Sequence, residues 1–164
     1  MSNDIQYLSF EEVLVVYQKT IEKSGGGLSG IRDKDGIESI IGFVQNDDYY
    51  PDFVTKLTFL VFRFCSGHFF QDGNKRIALT LGAYFLNKNK QYWAAVTFMK
   101  RMEAIVYHIA ASHINEELLY RIMFCIVKCN DFDEGLKIDI ANAMARGKIG
   151  IQDDLENRSD YEQI

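Results

Sequence analysis

Hydrophobic residues recur every three to four positions along almost the whole chain, which is the spacing that gives an α-helix one buried face. The Asn-Gly pairs that mark β-hairpin turns are missing from the sequence. The pattern therefore predicts a compact all-α domain of six or seven helices. The predicted helices run approximately from Ser9 to the glycines at 25–27, from Asp33 or Asp35 to Val44, from Pro51 to Ser66, from Lys75 to Leu86, from Val96 to Ala111, from Asn115 to Cys129 and from Leu136 to Arg146.

Several helix starts carry their own sequence signals. Ser9 and Glu12 have the spacing of a capping box, in which each side chain bonds to a backbone amide near the other residue. Asp33 or Asp35 is placed to cap the second helix. Pro51 suits the first turn of the third helix, because proline lacks the N–H that an early helical position leaves unpaired. These signals predict where helices begin independently of burial.

The charge is distributed unevenly along the chain. The 164 residues include 18 basic and 23 acidic side chains, for a net charge of −5. Residues 1–129 hold fourteen of each sign, so the whole excess lies in residues 130–164. We expect one main domain over 1–129 and an acidic, partly helical C-terminal extension over 130–164. The net negative charge argues against direct binding of nucleic acid through a basic surface.

The cysteines and the apolar segments indicate a cytoplasmic protein that does not enter a membrane. Cys65, Cys125 and Cys129 form no CxxC pair, so neither a disulfide framework nor a zinc site is supported. Buried, reduced thiols are expected instead. The N-terminal segment Met1–Gln6 is polar and lacks the apolar run of a signal peptide. The most apolar stretch, Leu57–Cys65, is too short to span a membrane.

One segment departs from the pattern of a buried helical core. His68-Phe69-Phe70-Gln71-Asp72-Gly73-Asn74-Lys75-Arg76 lies between two apolar helices, at the start of the second. It brings an imidazole, a carboxylate, a glycine, an amide and two cations together within nine residues. A polar loop with a capped helix is a sufficient interpretation of any one of these residues. The ordered set points to chemistry.

The second half of this segment predicts a phosphate site. The start of a helix presents unpaired N–H groups and the positive end of the helix dipole. Gly73 allows the backbone to turn successive amides toward an anion. Asn74 is placed to cap the helix or to contact the phosphate. Lys75 and Arg76 add cationic donors, of which the arginine binds phosphate bidentately.

The other polar residues complete a group-transfer site. Asp72 beside a phosphate suits Mg²⁺, which prefers one or two carboxylates together with phosphate oxygens. His68 is a residue type that accepts a proton near neutral pH. A base, a metal ligand and a phosphate clamp are what the transfer of a phosphoryl or nucleotidyl group to a hydroxyl requires.

The segment resembles the signature of the Fic/Doc family: His, any residue, Phe, one or two variable residues, Asp or Glu, Gly or Ala, Asn, Gly or Lys, Arg. Every defined position is matched, by His68, Phe70, Asp72, Gly73, Asn74, Lys75 and Arg76. The upstream segments Gly30–Asp33 and Gly36–Ser39 are similar to the death-on-curing (Doc) branch. The resemblance covers about residues 7–128. It implies a Fic-type helical bundle with a helix–loop–helix active-site motif, so that residues 1–129 form the catalytic domain.

The resemblance also implies a role for each matching residue. His68 would be the general base for a protein hydroxyl, and Phe70 would anchor the loop in the core. Asp72 would hold Mg²⁺. The nucleotide, ATP or a related one, would be bound by Gly73, Asn74, Lys75 and Arg76, with the first two forming the anion nest and Arg76 binding the phosphate chain.

Two positions of the motif point to different members of the family. Members that transfer adenylyl groups have glycine at the position of Lys75, whereas the Doc branch has lysine. That lysine goes with a reversed nucleotide and transfer of the γ-phosphoryl group. Gly73 is the choice of the adenylyl-transferring members, where Doc has alanine. We favour ATP-dependent phosphorylation of a protein hydroxyl by a Doc-like toxin, with translation elongation factor Tu as the first target to test. Protein adenylylation (AMPylation) is the alternative.

Expectations about partners follow from the same resemblance. The loop Gln45–Tyr50 would correspond to the flap that guides the target segment by strand addition. Many members are restrained by a helix with a Ser/Thr-x-x-x-Glu-Gly/Asn motif, and Asn130–Gly135 is a near match that lacks the Ser or Thr. We therefore expect restraint by an antitoxin in trans. A second hypothesis is a non-catalytic interaction module that keeps the fold and uses residues 130–164.

Overall fold

The computed structural model describes the backbone of residues 4–27 and 29–161, and the side chains of these residues as far as Gly147. Within this part of the chain there are seven α-helices, which confirms the predicted all-α fold. The only β pairing among the same residues is one antiparallel bridge between Ile31 and Phe70. The helices are α1 (Phe10–Lys23), α2 (Lys34–Phe43), α3 (Phe53–Ser66), α4 (Asn74–Lys88), α5 (Tyr92–Ala110), α6 (Glu116–Val127) and α7 (Glu134–Tyr161).

The first two helices begin where their local signals predict. Ser9 accepts a hydrogen bond from the Glu12 amide, and the Glu12 carboxylate accepts one from the Ser9 amide, so the capping box of α1 is complete. At α2 the cap is Asp33 and not Asp35. The Asp33 carboxylate accepts from the Gly36 amide at 2.8 Å.

The third helix begins two residues later than expected. The prediction that Pro51 lies in the first turn of α3 is wrong, because α3 begins at Phe53. Asp52 caps this helix and forms a capping box with Thr55, whose amide donates to the Asp52 carboxylate at 2.9 Å. The Asp52 cap decides the helix start here, and Pro51 precedes it.

α3 is the central helix of the fold. It packs against α2, α4, α5 and α6, and its residues are apolar on almost every side, which is typical of a buried helix. Phe53 stacks on Phe85 of α4 with ring centroids 5.1 Å apart. α4 also packs against α1 and α5. The loop that joins α3 to α4 is therefore held between two helices that are fixed in the core.

A buried lysine ties the loop after α2 to α3. Lys56 is fully buried, and its ammonium group donates to the Val44 carbonyl at 3.0 Å and to the Asp47 carboxylate at 2.7 Å. Both partners belong to the turns that leave α2. An ammonium group is tolerated in a protein interior only when it is paired, so these two contacts hold the segment Gln45–Tyr50 in place.

α7 occupies the region predicted to be a partly helical extension. It begins two residues before the predicted start and runs on to Tyr161. Its first turns pack against α5 and α6 and bury Leu136, Ile140 and Ala143 in the common hydrophobic core. The boundary expected after residue 129 thus falls in the turn before α7, and the helix beyond it shares the core of the preceding helices.

The exposure of the cysteines differs from the prediction. Cys65 is buried, but Cys125 is half-buried and Cys129 is exposed, and all three thiols are free. The expectation of buried thiols is therefore correct only for Cys65. Cys129 lies outside the core because α6 ends at Val127 and the chain turns there, with Cys129 in a left-handed conformation. None of the described helices is long and apolar enough to cross a membrane.

Candidate active site

The loop between α3 and α4 is anchored by Phe70. This side chain is completely buried and stacks on Tyr17 of α1, with ring centroids 4.4 Å apart. The Tyr17 hydroxyl accepts a hydrogen bond from the Gly30 amide at 2.7 Å. The aromatic pair therefore connects α1, the loop before α2 and the loop that follows α3.

Main-chain hydrogen bonds join the same two loops. The Phe69 carbonyl accepts from the amides of Arg32 and Asp33 at 2.8 and 3.1 Å, and the Gln71 amide donates to the Gly30 carbonyl at 3.0 Å. The segment Gly30–Asp33 is thereby placed along the site. The loop Gln45–Tyr50, which the family resemblance assigns as the flap, is bound to α3 through Lys56 and does not line the cavity described below.

Asn74 closes the site loop through its side chain. Its carbonyl oxygen accepts from the Phe70 amide at 3.1 Å, and its amide nitrogen donates to the Phe70 carbonyl at 3.0 Å. Both polar atoms of the Asn74 side chain are therefore bonded to the backbone of Phe70. The side chain does not cap α4, and the Asn74 backbone amide has no acceptor among the described residues.

Asp72 and Arg76 are paired with each other one helical turn apart. Arg76 Nη2 lies 3.3 Å from Asp72 Oδ2, and the Asp72 Oδ1 atom accepts from the Gly73 amide at 2.6 Å. Arg76 Nη1 also donates to the hydroxyl of Ser24 at the end of α1. Both side chains remain partly exposed, 47% for Asp72 and 37% for Arg76, so water or a ligand reaches them.

The start of α4 is open. Gly73 stands at the N-cap position with φ +79°, a left-handed conformation that favours glycine, and no side chain caps the helix. The backbone amides of Asn74, Lys75 and Arg76 bind no acceptor among the described residues. Three unpaired N–H groups at the positive end of a helix dipole form a site for an anion.

These groups border one small cavity of about 220 Å³. It is lined by Cys65, His68, Gln71, Asp72, Gly73, Asn74, Lys75, Arg76 and Ala110. All predicted site residues except the buried anchor Phe70 are therefore brought together. The volume is below the about 300–1,000 Å³ typical of pockets for whole small molecules, so it suits the phosphate portion of a ligand whose remainder lies outside.

His68 stands at the exposed edge of this cavity. It has a positive φ of +52°, which is uncommon for a residue with a side chain and is found more often at functional sites. Cys65, which also lines the cavity, has an unreactive thiol. Burial raises the pKa of the Cys65 thiol to about 11, and the thiol donates to the Val106 carbonyl at 3.0 Å. Cys65 is therefore a neutral wall and not a nucleophile.

The described residues fit a magnesium ion that arrives with a nucleotide. They contain no cluster of three or more His, Cys, Asp or Glu side chains able to hold a metal by themselves. Asp72 alone offers a carboxylate at the open start of α4. Mg²⁺ commonly takes only one or two carboxylates and completes its shell with phosphate oxygens and water, so one aspartate is sufficient for it.

Sequence reasoning missed the contribution of the segment after α1. Ser24 binds Arg76, and Gly27 passes so close to Asp72 that a Cβ atom there would collide with the carboxylate. Gly30 pairs with Gln71 and Tyr17. The glycine run at 25–27 signalled only the end of a helix. The similarity of Gly30–Asp33 to the Doc branch was the one signal that this segment belongs to the site.

Comparison with known proteins supports the family resemblance that the sequence shows. The model of the Fic/DOC family matches residues 7–86, which contain α1 to α3, the site loop and most of α4. The chain belongs to this family, whose members are enzymes that transfer a group from a nucleotide to a protein. Over 89 residues it is 36% identical to the protein kinase doc of Escherichia phage P1, an alignment that covers 52% of this chain and 69% of that relative.

Proposed function

We propose that the protein transfers the γ-phosphoryl group of ATP to a hydroxyl group of a target protein. One observation carries the proposal: the unpaired amides at the start of α4 face a cavity that also holds Lys75 and Arg76. Backbone donors and two cations together bind a phosphate chain and stabilise the negative charge that develops on it during transfer.

His68 is the proposed base. It stands at the exposed edge of the cavity, where a target hydroxyl has access to it. The imidazole accepts the hydroxyl proton as the oxygen attacks the γ-phosphorus, and ADP leaves with the electrons of the broken P–O bond. Phe70 positions the imidazole indirectly, because its buried ring holds the loop against Tyr17.

Asp72 and Arg76 have complementary tasks. The Arg76 guanidinium exchanges its contact with Asp72 for the phosphate chain, which frees the carboxylate for Mg²⁺. When bound, Mg²⁺ supplies charge neutralisation between the phosphates. The contact of Arg76 with Ser24 keeps the guanidinium at the cavity while the partner changes.

Lys75 favours phosphorylation over adenylylation. It lines the cavity, is exposed, and makes no ion pair with any described residue, so its charge is available to the terminal phosphate. In the adenylyl-transferring members of the family this position is glycine. The relative from phage P1 is named a protein kinase, which supports the same choice. Gly73, the residue that the adenylyl-transferring members share, keeps adenylylation as the alternative.

The reaction is tested with ATP labelled at either the γ- or the α-phosphate. The protein is incubated with Mg²⁺ and purified elongation factor Tu, and in parallel with a bacterial lysate. Labelling of a protein from γ-ATP alone is expected. Labelling from α-ATP alone would replace phosphorylation by adenylylation. No labelling from either nucleotide in the presence of Mg²⁺, together with labelling by a known family member in the same lysate, would refute both.

A cytoplasmic toxin restrained by an antitoxin in trans is the physiological setting that we propose. Growth assays of expressed variants distinguish this catalytic toxin from the competing hypothesis of a non-catalytic interaction module. His68→Ala is expected to abolish growth inhibition. Deletion of residues 148–164 is the appropriate test of the acidic end, because a deletion from residue 130 would also remove the buried Leu136 and Ile140. The module hypothesis requires the reverse result, with toxicity dependent on 148–164 and not on His68.

A further inference from the structure

We propose that the groove between α2 and α3 binds the polypeptide segment that flanks the target hydroxyl, and that it selects a large apolar side chain next to a carboxylate. The inference rests on the proposed function and names the substrate that the same site accepts. The groove has a volume of about 560 Å³ and lies outside the phosphate cavity. Its walls include Gly36, Phe43, Asn46, Phe59, Arg63 and Phe69.

The groove and the proposed base are connected by consecutive residues of the chain. Phe69 lines the groove, and His68 directly precedes it. The Phe69 ring packs between Gly36 and Gly67 so closely that a Cβ atom at either glycine would collide with it. An extended polypeptide advances about 3.3 Å per residue. We infer that a segment whose hydroxyl lies at His68 places the side chains a few residues away over this groove.

The rim of the groove is aromatic and exposed. Phe43 is 46% exposed and Tyr49 is 65% exposed, and their ring centroids lie 5.2 Å apart. Tyr50 and Phe59 pack beneath them, with centroids 4.3 Å apart. Exposed aromatic side chains gathered over a groove are typical of a recognition surface, and they favour an apolar partner side chain. The Lys56 contacts hold this rim in place before any target binds.

The charge of the groove determines the polar part of the preference. Arg63 lines it, with its guanidinium 5.6 Å from the centre of the Phe59 ring. Arg63 forms no ion pair with any carboxylate among the described residues. The guanidinium presents its donors as a rigid planar fork, and a carboxylate satisfies two of them bidentately. An acidic residue of the target is therefore the matching group.

A degenerate library of serine and threonine peptides tests the preference, with γ-labelled ATP and Mg²⁺ as the other reagents. The wild-type protein is expected to enrich peptides with an aromatic and an acidic residue within about three positions of the hydroxyl. Arg63→Glu is expected to replace the acidic preference by a basic one. Phe43→Ala is expected to remove the aromatic preference and to raise KM for the best peptide about tenfold, with kcat unchanged.

Two control variants match Phe43→Ala and Arg63→Glu in chemistry but lie outside the groove, and they test whether loss of any exposed aromatic side chain or reversal of any exposed charge changes the preference. Trp93→Ala removes an aromatic side chain that is 82% exposed on α5, and Lys100→Glu reverses an exposed charge on the same helix. Neither lines the groove, and both are expected to retain the wild-type preference. Circular dichroism melts show whether each variant is folded.

The outcomes separate this inference from the proposed function. If proteins are labelled but the preference and KM are the same in Arg63→Glu, Phe43→Ala and the wild type, the groove is not the recognition site and the proposed transfer reaction stands. Labelling of a lysate protein without labelling of any peptide would also overturn the proposal that the groove recognises the target segment. Recognition would then depend on a surface remote from the hydroxyl. If nothing is labelled, both proposals fail together.

Discussion

The starts of α3 and α4 are built in opposite ways. At α3, Asp52 and Thr55 form a capping box, in which the Asp52 carboxylate accepts from the Thr55 amide and the Thr55 hydroxyl accepts from the Asp52 amide. At α4, Gly73 has no side chain to offer, and the amides that follow remain unpaired. A carboxylate cap places negative charge at the helix start and repels an anion, whereas a start with no acidic cap that borders a cavity is available to one.

The charges at these two helix starts also differ, because a carboxylate caps α3 and cations stand in the first turn of α4. α4 has no acidic residue in its first turn, and instead carries Lys75 and Arg76 there. Cations at this end oppose the helix dipole and lower the stability of the helix. α1 follows the stabilising rule, with Glu11 and Glu12 in its first turn. The start of α4 therefore sacrifices local stability in a place where the motif requires binding and chemistry, which is where such exceptions are expected.

The largest difference between the two starts should be seen in activity. His68→Ala is expected to lower the rate of phosphoryl transfer by about 10²–10⁴-fold, because proton removal by a positioned base contributes that much. The thermal midpoint should not change, since His68 is exposed and forms no part of the core. Rates come from γ-label transfer at saturating ATP. Transfer at the wild-type rate would exclude His68 as the base.

The anion site can be broken by giving α4 the cap that α3 has. Gly73→Asp introduces a carboxylate where phosphate should bind, and ATP affinity is expected to fall about tenfold or more. Gly73→Asn is the matched control, because it has the same shape and the same contact with the flexible end of Ile21 without the charge. Calorimetric titration with ATP and Mg²⁺ measures both. Equal affinities for the two variants would show that phosphate does not bind at this helix start.

At α3 the expected effect is on stability alone. Asp52→Ala removes the cap and should cost about 1 kcal/mol in the free energy of unfolding, with a fall of roughly 2–4 °C in the thermal midpoint. The rate of label transfer should remain that of the wild type. Asp48→Ala, in the exposed turn before α3, serves as a control for loss of a carboxylate. A loss of transfer in folded Asp52→Ala would mean that the two helix starts are not functionally separate.

The smallest effect concerns the capping box of α1 and its pH dependence. Burial works to raise the pKa of Glu12, but hydrogen bonds from Lys88, the Ser9 amide and Tyr84 outweigh it, and the pKa is lowered. A lowered pKa in the folded state stabilises the protein above the carboxyl's unfolded pKa, and this stabilisation is lost as the pH falls through the folded pKa.

Glu12→Gln should therefore destabilise the protein by about 0.5–1 kcal/mol at pH 7 and by less at acidic pH, where the wild-type carboxyl is itself protonated. Chemical denaturation at pH 7 and at a pH below the folded pKa measures the difference. A destabilisation that is the same at both pH values would assign the loss to shape and not to the charge of Glu12.

Much of the fold was predictable because its signals are local. The periodicity of apolar residues predicted the helices, and Ser9, Asp33 and Asn115 cap them within three residues of their own positions. Pro51 misled the prediction because proline is compatible with several positions near a helix start, and the stronger cap at Asp52 decided among them. The exposure of Cys129 depended on where α6 ends, and helix ends are less sharply specified than helix starts.

The sequence by itself determined the helices and the set of groups at the site, because a nine-residue motif and helical periodicity are both properties of near neighbours along the chain. Only the tertiary structure decided how those groups are held. Ser24 meets Arg76 across 52 positions of sequence, and Tyr17 meets Phe70 and Gly30 through packing of α1 against the site loop. Such contacts depend on which surfaces the core brings together, and no local pattern encodes them.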